Sequence, residues 1–261
     1  MPFSLPLLEP EDVIRHLGKG KLHWKAGRSA HALATRWHAA KGVPDAVRRV
    51  LDTSSAFAGA SLVDGFLERS VDLPGGGRPS RTDLMAVLRA KRGLAVAAVE
   101  GKVDETFGPR IGQWLEENPG RTSRLAALTA MFGLERHDIA LRYQLFHRSA
   151  SALLEAQRYD ASTALLLVHS FSSAKAGFAD YAAFLRALGI AEEVVPNTIY
   201  GPLLFPVGKG AIAFFAGWAA DDCADIAMKA EFWERLESHA VRARDYAQDL
   251  LNWIARRPDG E

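Results

Sequence analysis

Two apolar runs joined by a short polar turn dominate the middle of the chain. Between Pro79 and Val103 the sequence reads PSRTDLMAVLRAKRGLAVAAVEGKV, with Ala90-Lys91-Arg92-Gly93 as the break. This pattern predicts the two strands of a hairpin. In the second run, alternation with period two puts Val96, Ala98, Glu100 and Lys102 on one face. Asp83 opens the first run and Glu100 nearly closes the second, so the hairpin brings both acids to the same end. An acid and a lysine then stand side by side on an oily strand, with a second acid next to them. Burying unpaired charge is costly, so the pattern predicts either mutual pairing or a bound cation.

The remaining pattern supplies the surroundings. A short helix is expected over residues 10–18, then a basic turn through Lys19, Lys21, Trp24 and Lys25. Ser29 reads as the N-cap of a helix ending at Gly42, with Leu33 and Trp37 on one face. Pro44 suits the first position of a helix running to about Leu51. The stretch AFAGASLVDGFLER, residues 56–69, is expected to be helical, which would put Asp64 and Glu68 one turn apart. A short strand over 70–74 and a turn at Gly75-Gly76-Gly77 lead into the hairpin. Helices are expected over 109–118, 122–133 and 137–158. In the last of these, Gln144, His147, Arg148, Ser151 and Glu155 form one polar stripe. TALLLVH, residues 163–169, reads as a strand buried on both faces and parallel to its neighbour. A helix over 177–188, strands over 199–205 and 211–218, and a largely helical tail over 222–256 complete the reading.

Composition narrows the function classes. The 261 residues are 48% hydrophobic, enough for a real core, and carry a net charge of only +1. Attraction to nucleic acid must therefore come from a local patch. From Arg15 to Arg49 there are nine Lys/Arg and one acid, Asp45. This is either a solvated surface or a phosphate-facing patch built from Lys19, Lys21, Trp24, Lys25 and Arg28, with Arg148 contributing from the long helix. The single cysteine, Cys223, excludes an internal disulfide and a cysteine zinc cage. His31 and His38 lack a third zinc ligand, and His169 reads as a core histidine. The glycine run has neither Walker nor dinucleotide-fingerprint spacing. With no signal peptide and no apolar run near 20 residues, a cytoplasmic protein is expected. The chain reads as a single domain, 1–261, with a core at about 55–220, a basic helical N-terminal region at about 10–54 and a C-terminal helix at about 222–256.

The order helix, strand, hairpin, helices, buried strand, with Asp83 followed by Glu100-Gly101-Lys102, resembles the PD-(D/E)XK nuclease superfamily. Thr82 stands where the family's proline precedes the aspartate, and Pro79 lies just upstream. The phrasing RPSRTDLMAVLR and VEGKVDETFGP is also similar to an uncharacterised bacterial branch of that superfamily. The resemblance implies an α/β fold with a restriction-endonuclease-like αβββαβ core, its mixed central sheet flanked by helices, and added N- and C-terminal helices. It further implies a Mg²⁺ (or Mn²⁺) ion on Asp83 and Glu100, helped by the Gly101 carbonyl and by Glu68 or, less favourably, Asp64. Lys102 would orient or deprotonate the attacking water. Gln144 would be a supporting active-site contact, and His147 and Arg148 phosphate or structural contacts. The expected partner is nucleic acid, DNA ahead of RNA, with a homodimer as a further option.

Two other readings stay open. A non-catalytic module on the same fold would bind nucleic acid or protein and keep the acids as a structural network. A plain α/β scaffold would use the hairpin only as support and dimerise through its C-terminal helix.

Overall fold

The fold is taken from a computed structural model, which describes residues 28–221 except His137 and Lys209, together with Ile14 and Arg244. All of these but Arg244 lie in the unit Met1–Asp222; Cys223–Glu261 form a second unit. Apart from Ile14 and Arg244, the expected helix at 10–18 and the tail helix fall outside the described residues, as do Lys19, Lys21, Trp24, Lys25 and Cys223.

The chain is α/β, with a six-stranded mixed sheet between two layers of helix. Its strands are β1 (Ser61–Val71), β2 (Ser80–Ala90), β3 (Gly93–Lys102), β4 (Thr163–Ser170), β5 (Ile199–Val207) and β6 (Gly210–Ala220). They lie in the order β1-β2-β3-β4-β6-β5. β1 to β3 form an antiparallel meander, β3, β4 and β6 are mutually parallel, and β5 returns antiparallel to β6. Every residue of β4 after Thr163 is buried, as the TALLLVH run requires for a central parallel strand.

α1 (Ser29–Ala40) and α2 (Asp45–Leu51) cover one face of the sheet. Arg28, rather than Ser29, is the N-cap of α1, and Pro44 caps α2. Leu33 and Trp37 are buried, as their shared face predicts. Gly101 is where α1 rests on β3: a Cβ there would lie 3.3 Å from both Leu33 Cβ and Ser29 O.

The other face carries α3 (Ile111–Glu117), α4 (Thr122–Met131), α5 (Tyr143–Arg158) and α6 (Phe178–Ala187). The main core lies between these helices and the sheet, where Phe146, Phe184, Trp218 and Tyr181 interlock with Met85, Val96, Ala98 and Leu166. Burying each such side chain contributes roughly 1.5–3 kcal/mol.

Two expectations are corrected. Residues 61–69 are not helical: Ser61–Val71 pairs along β2 from Ser61↔Arg89 to Val71↔Ser80. Asp64 and Glu68 therefore sit on a strand, not on a helix preceding the hairpin. The long helix begins at Tyr143 rather than 137. Asp138 Oδ1 accepts the Ala140 N–H at 2.8 Å, and the carbonyls of Ile139 and Leu141 accept from Gly112 and Ile111. Those backbone groups are thereby committed to the start of α3 and not to a further helical turn.

Candidate functional site

The register of the β2–β3 hairpin sets the site. Leu84 pairs with Val99, so Asp83 and Glu100 meet just beyond the last paired rung. Asp83 Oδ2 accepts the Gly101 N–H at 3.0 Å, which ties the aspartate to the end of β3. Glu100 and Lys102, two residues apart, project together toward α5. Lys102 Nζ lies 2.9 Å from Glu100 Oε1, and both side chains are almost fully buried. The ammonium also sits 5.0 Å over the Phe107 ring, a cation–π contact that helps fix its position.

α5 closes the cluster from above. Gln144 Oε1 accepts from Lys102 Nζ at 3.2 Å, while its Nε2 donates to Glu100 Oε1. One turn on, Arg148 Nε donates to Glu100 Oε2 at 2.5 Å. Both oxygens of Glu100 are thus engaged, by two cations and an amide. Arg148 Nη1 also donates to Ser80 Oγ at 3.0 Å and reaches His147 Nδ1 at 3.2 Å. Arginine only donates, so His147 Nδ1 is an acceptor and the ring proton sits on Nε2. The Ser80 hydroxyl then donates to the same nitrogen at 2.9 Å. Burial and the Arg148 charge hold the His147 pKa well below the usual range, consistent with a neutral ring.

The two carboxylates differ sharply. Asp83 keeps an exposed edge, yet protein packs densely round its carboxyl. Burial and repulsion from Glu100 push its pKa up to about 8, more than Arg148 and Lys102 pull it down. Glu100 is opposed by burial, but the charges and hydrogen bonds of Arg148 and Lys102 prevail and hold it at about 2. Of the two, Asp83 is the one that holds a proton more readily.

Glu68 occupies the place facing Asp83, between the rungs Leu67↔Leu84 and Arg69↔Thr82. Its backbone has φ +52°, so the regular alternation is broken there. It is half-buried and pairs with Arg81 at 3.4 Å. Burial raises its pKa despite Arg81, and Glu100 adds to the rise. Asp64 lies opposite Val87, well along the strand from this end, and its Oδ1 accepts the Gly65 N–H at 2.8 Å.

Asp83, Glu100, Lys102 and Gln144 are therefore brought together, with Glu68 at the margin and Asp64 apart. Arg148 does not belong to an exposed basic patch. It is 7% exposed and spent on Glu100 and Ser80. Arg28 is exposed at the start of α1. His169 is a satisfied core residue: Trp37 Nε1 donates to its Nδ1 at 3.2 Å, so its Nε2–H donates to Asp221 Oδ2 at 3.0 Å. Sequence reading missed the Ser80–His147–Arg148 link. The spacing of Gln144 and Arg148, one helical turn apart, is the signal that both reach one acid.

Among the described residues, no group of three or more His, Cys, Asp or Glu side chains is placed to hold a metal ion. What the cluster offers is two neighbouring carboxylates, a hard-oxygen donor set of the kind magnesium takes together with water. Burial first, and repulsion from Glu100 after it, raise the Asp83 pKa; a cation would offset both, so the donor chemistry fits such an ion. Glu100 would have to exchange one of its present contacts to take part.

No helix among the described residues is long and apolar enough to cross a membrane. A family model described as "Domain of unknown function (DUF6946)" matches residues 6–223, and the chain belongs to that family. No curated protein and no solved structure matches it.

Proposed function

We propose that this member of the DUF6946 family is a divalent-metal-dependent nuclease or nuclease-like phosphodiesterase with a restriction-endonuclease-like core. The observation that carries the reading is the meeting of Asp83, Glu100, Lys102 and Gln144 at one end of the β2–β3 hairpin. The element order from α2 through β1, β2 and β3 to α5 and β4 supports it as well. Asp83 and Glu100 would hold the ion, with the Gly101 carbonyl as a further oxygen and Glu68 close by. When bound, magnesium would polarise a phosphodiester and lower the pKa of an attacking water. Lys102 is placed to offset negative charge growing on the phosphorus oxygens. Gln144 orients the Lys102 ammonium, accepting from it while donating to Glu100. Phe107 and α5 shield these groups from water, which strengthens each electrostatic contact.

The test is cleavage of single- and double-stranded DNA and of RNA with Mg²⁺ or Mn²⁺. Wild type should cut at least one of them. Glu100→Ala and Lys102→Ala should each lose at least about a hundredfold in rate while remaining folded. Cleavage unchanged in both variants would remove the assignment.

A second reading rests on the closed pairing of Glu100. Both of its oxygens already bind partners, which suits a non-catalytic module holding the acids as a structural network. Calorimetry separates the two: the module binds no Mn²⁺, whereas the hydrolytic site binds it and loses it in Asp83→Asn.

A further inference from the structure

Beside the carboxylate cluster lies a second, arginine-lined site. A cavity of about 510 Å³ opens between the Gly75-Gly76-Gly77 turn, the start of α4 and the first turns of α5. Among the described residues its walls include Arg78, Arg121, Arg124, Trp114, Tyr143 and His147, and no Asp or Glu.

Arg124 is the informative residue. It is only 6% exposed, yet among the described residues it forms no ion pair. Its Nη1 donates to Arg78 O at 3.2 Å, its Nη2 donates to Gly76 O, and its Nε has no hydrogen-bond partner. The other buried cations of this region, Lys102 and Arg148, both rest on Glu100. A buried guanidinium facing carbonyls and the Tyr143 hydroxyl has no negative charge among these partners, which is costly unless an anion completes the site. Arg124 stands in the first turn of α4, a helix with no acid in that turn and no side-chain cap, so the helix dipole adds to the same potential.

Gly75 brings the turn onto this helix end. It has φ +82°, and a Cβ there would lie 2.5 Å from Ser123 O and Arg124 Cα, so no other residue allows the approach. The glycine run thus lines an anion-seeking cavity without Walker spacing.

We propose that this cavity binds a phosphomonoester: a phosphate group on Arg124 and Arg78, with its organic portion along the wall where Trp114 stacks on Tyr143. Several arginines, with no acid among the described lining residues, suit a dianion, and the guanidinium fork matches phosphate oxygens. The volume exceeds what a bare phosphate fills and lies in the range of small-ligand pockets. The Trp114 and Tyr143 rings are 3.6 Å apart at their centres and nearly parallel, which makes a flat, rigid boundary. α5 serves both sites: Tyr143 and His147 line the cavity, and Gln144 and Arg148 hold Glu100. Ser80 bridges the two through His147 and Arg148.

The experiment is calorimetry on the full chain with a chelator present, which makes its outcome independent of the hydrolytic reading. Inorganic phosphate, adenosine 5′-monophosphate and adenosine are the probes. The monophosphate should bind at least tenfold tighter than inorganic phosphate, and adenosine should not bind. Arg124→Met should abolish the heat of binding. Because that change also frees two loop carbonyls, Arg78→Ala serves as the second variant: Arg78 is exposed, and its loss should weaken binding about tenfold without altering the circular dichroism. Absence of binding by either phosphate compound, or unchanged affinity in both variants, overturns the proposal. Inorganic phosphate binding as tightly as the nucleotide overturns its organic portion.

Discussion

Asp83 and Glu100 meet at one end of the hairpin but their pKa values shift in opposite directions, and stability should follow. Folded Asp83 keeps its proton up to about 8, whereas the unfolded chain releases it in the ordinary carboxylate range. Between those points the unfolded state binds fewer protons, so this group's contribution falls as pH rises. Glu100 works the other way: its contribution is full above the ordinary range and is lost as pH falls through about 2. Asp83→Asn should therefore flatten the decline in urea-unfolding stability between pH 5 and 8. A slope identical to wild type would contradict the proton placement. Arg148→Met strips one cation from a buried carboxylate and should cost about 3 kcal/mol by urea unfolding. A change within about 0.5 kcal/mol, the usual effect of a surface substitution, would show that the pair contributes nothing.

Asp83, Glu100 and Lys102 were legible because a hairpin and its period-two alternation dictate neighbours, and Gln144 because it lies on the polar stripe of the long helix. The partner that most perturbs Glu100 was less so. Arg148 looks like any basic residue on a polar stripe, and its burial appears only once α5 lies over β3. Arg124 shows the same limit, since whether a cation has an anion within reach is a property of packing.

At the scale of elements, the sequence misled over 61–69. Leucines, a phenylalanine and two acids at helical spacing imitate an amphipathic helix there. The segment instead satisfies its backbone along β2, the choice tertiary context imposes on a weak propensity. The turn between these strands offers a graded test. Gly75→Ala must push apart two backbones that approach within 2.5 Å of the new Cβ, as well as strain φ +82°. Gly76→Ala, at φ +76°, meets nothing within 4 Å. The second change should cost about 1 kcal/mol and the first clearly more, about 3 kcal/mol, in chemical denaturation. Equal losses would mean that the turn does not seat on α4 as described.

For the whole molecule, the β1–β2–β3 meander and α5 meet where the carboxylate cluster and the arginine-lined cavity adjoin. The parallel strands β4 and β6 and their aromatic core provide the rigid platform beneath. The alternation of apolar and polar runs made this α/β plan readable, including the fully buried β4. Loop-built features such as the cavity were not, because glycines in a turn do not announce which helix end they will meet. The proposed hydrolytic role requires the carboxylate pair to take a cation. The most direct measurement is anomalous diffraction from crystals soaked in Mn²⁺ at pH 8, near the point at which Asp83 gives up its proton. The account predicts a peak between Asp83 and Glu100, with Lys102 still within hydrogen-bond reach. No peak there, with Arg148 and Lys102 still closed on Glu100, would contradict it.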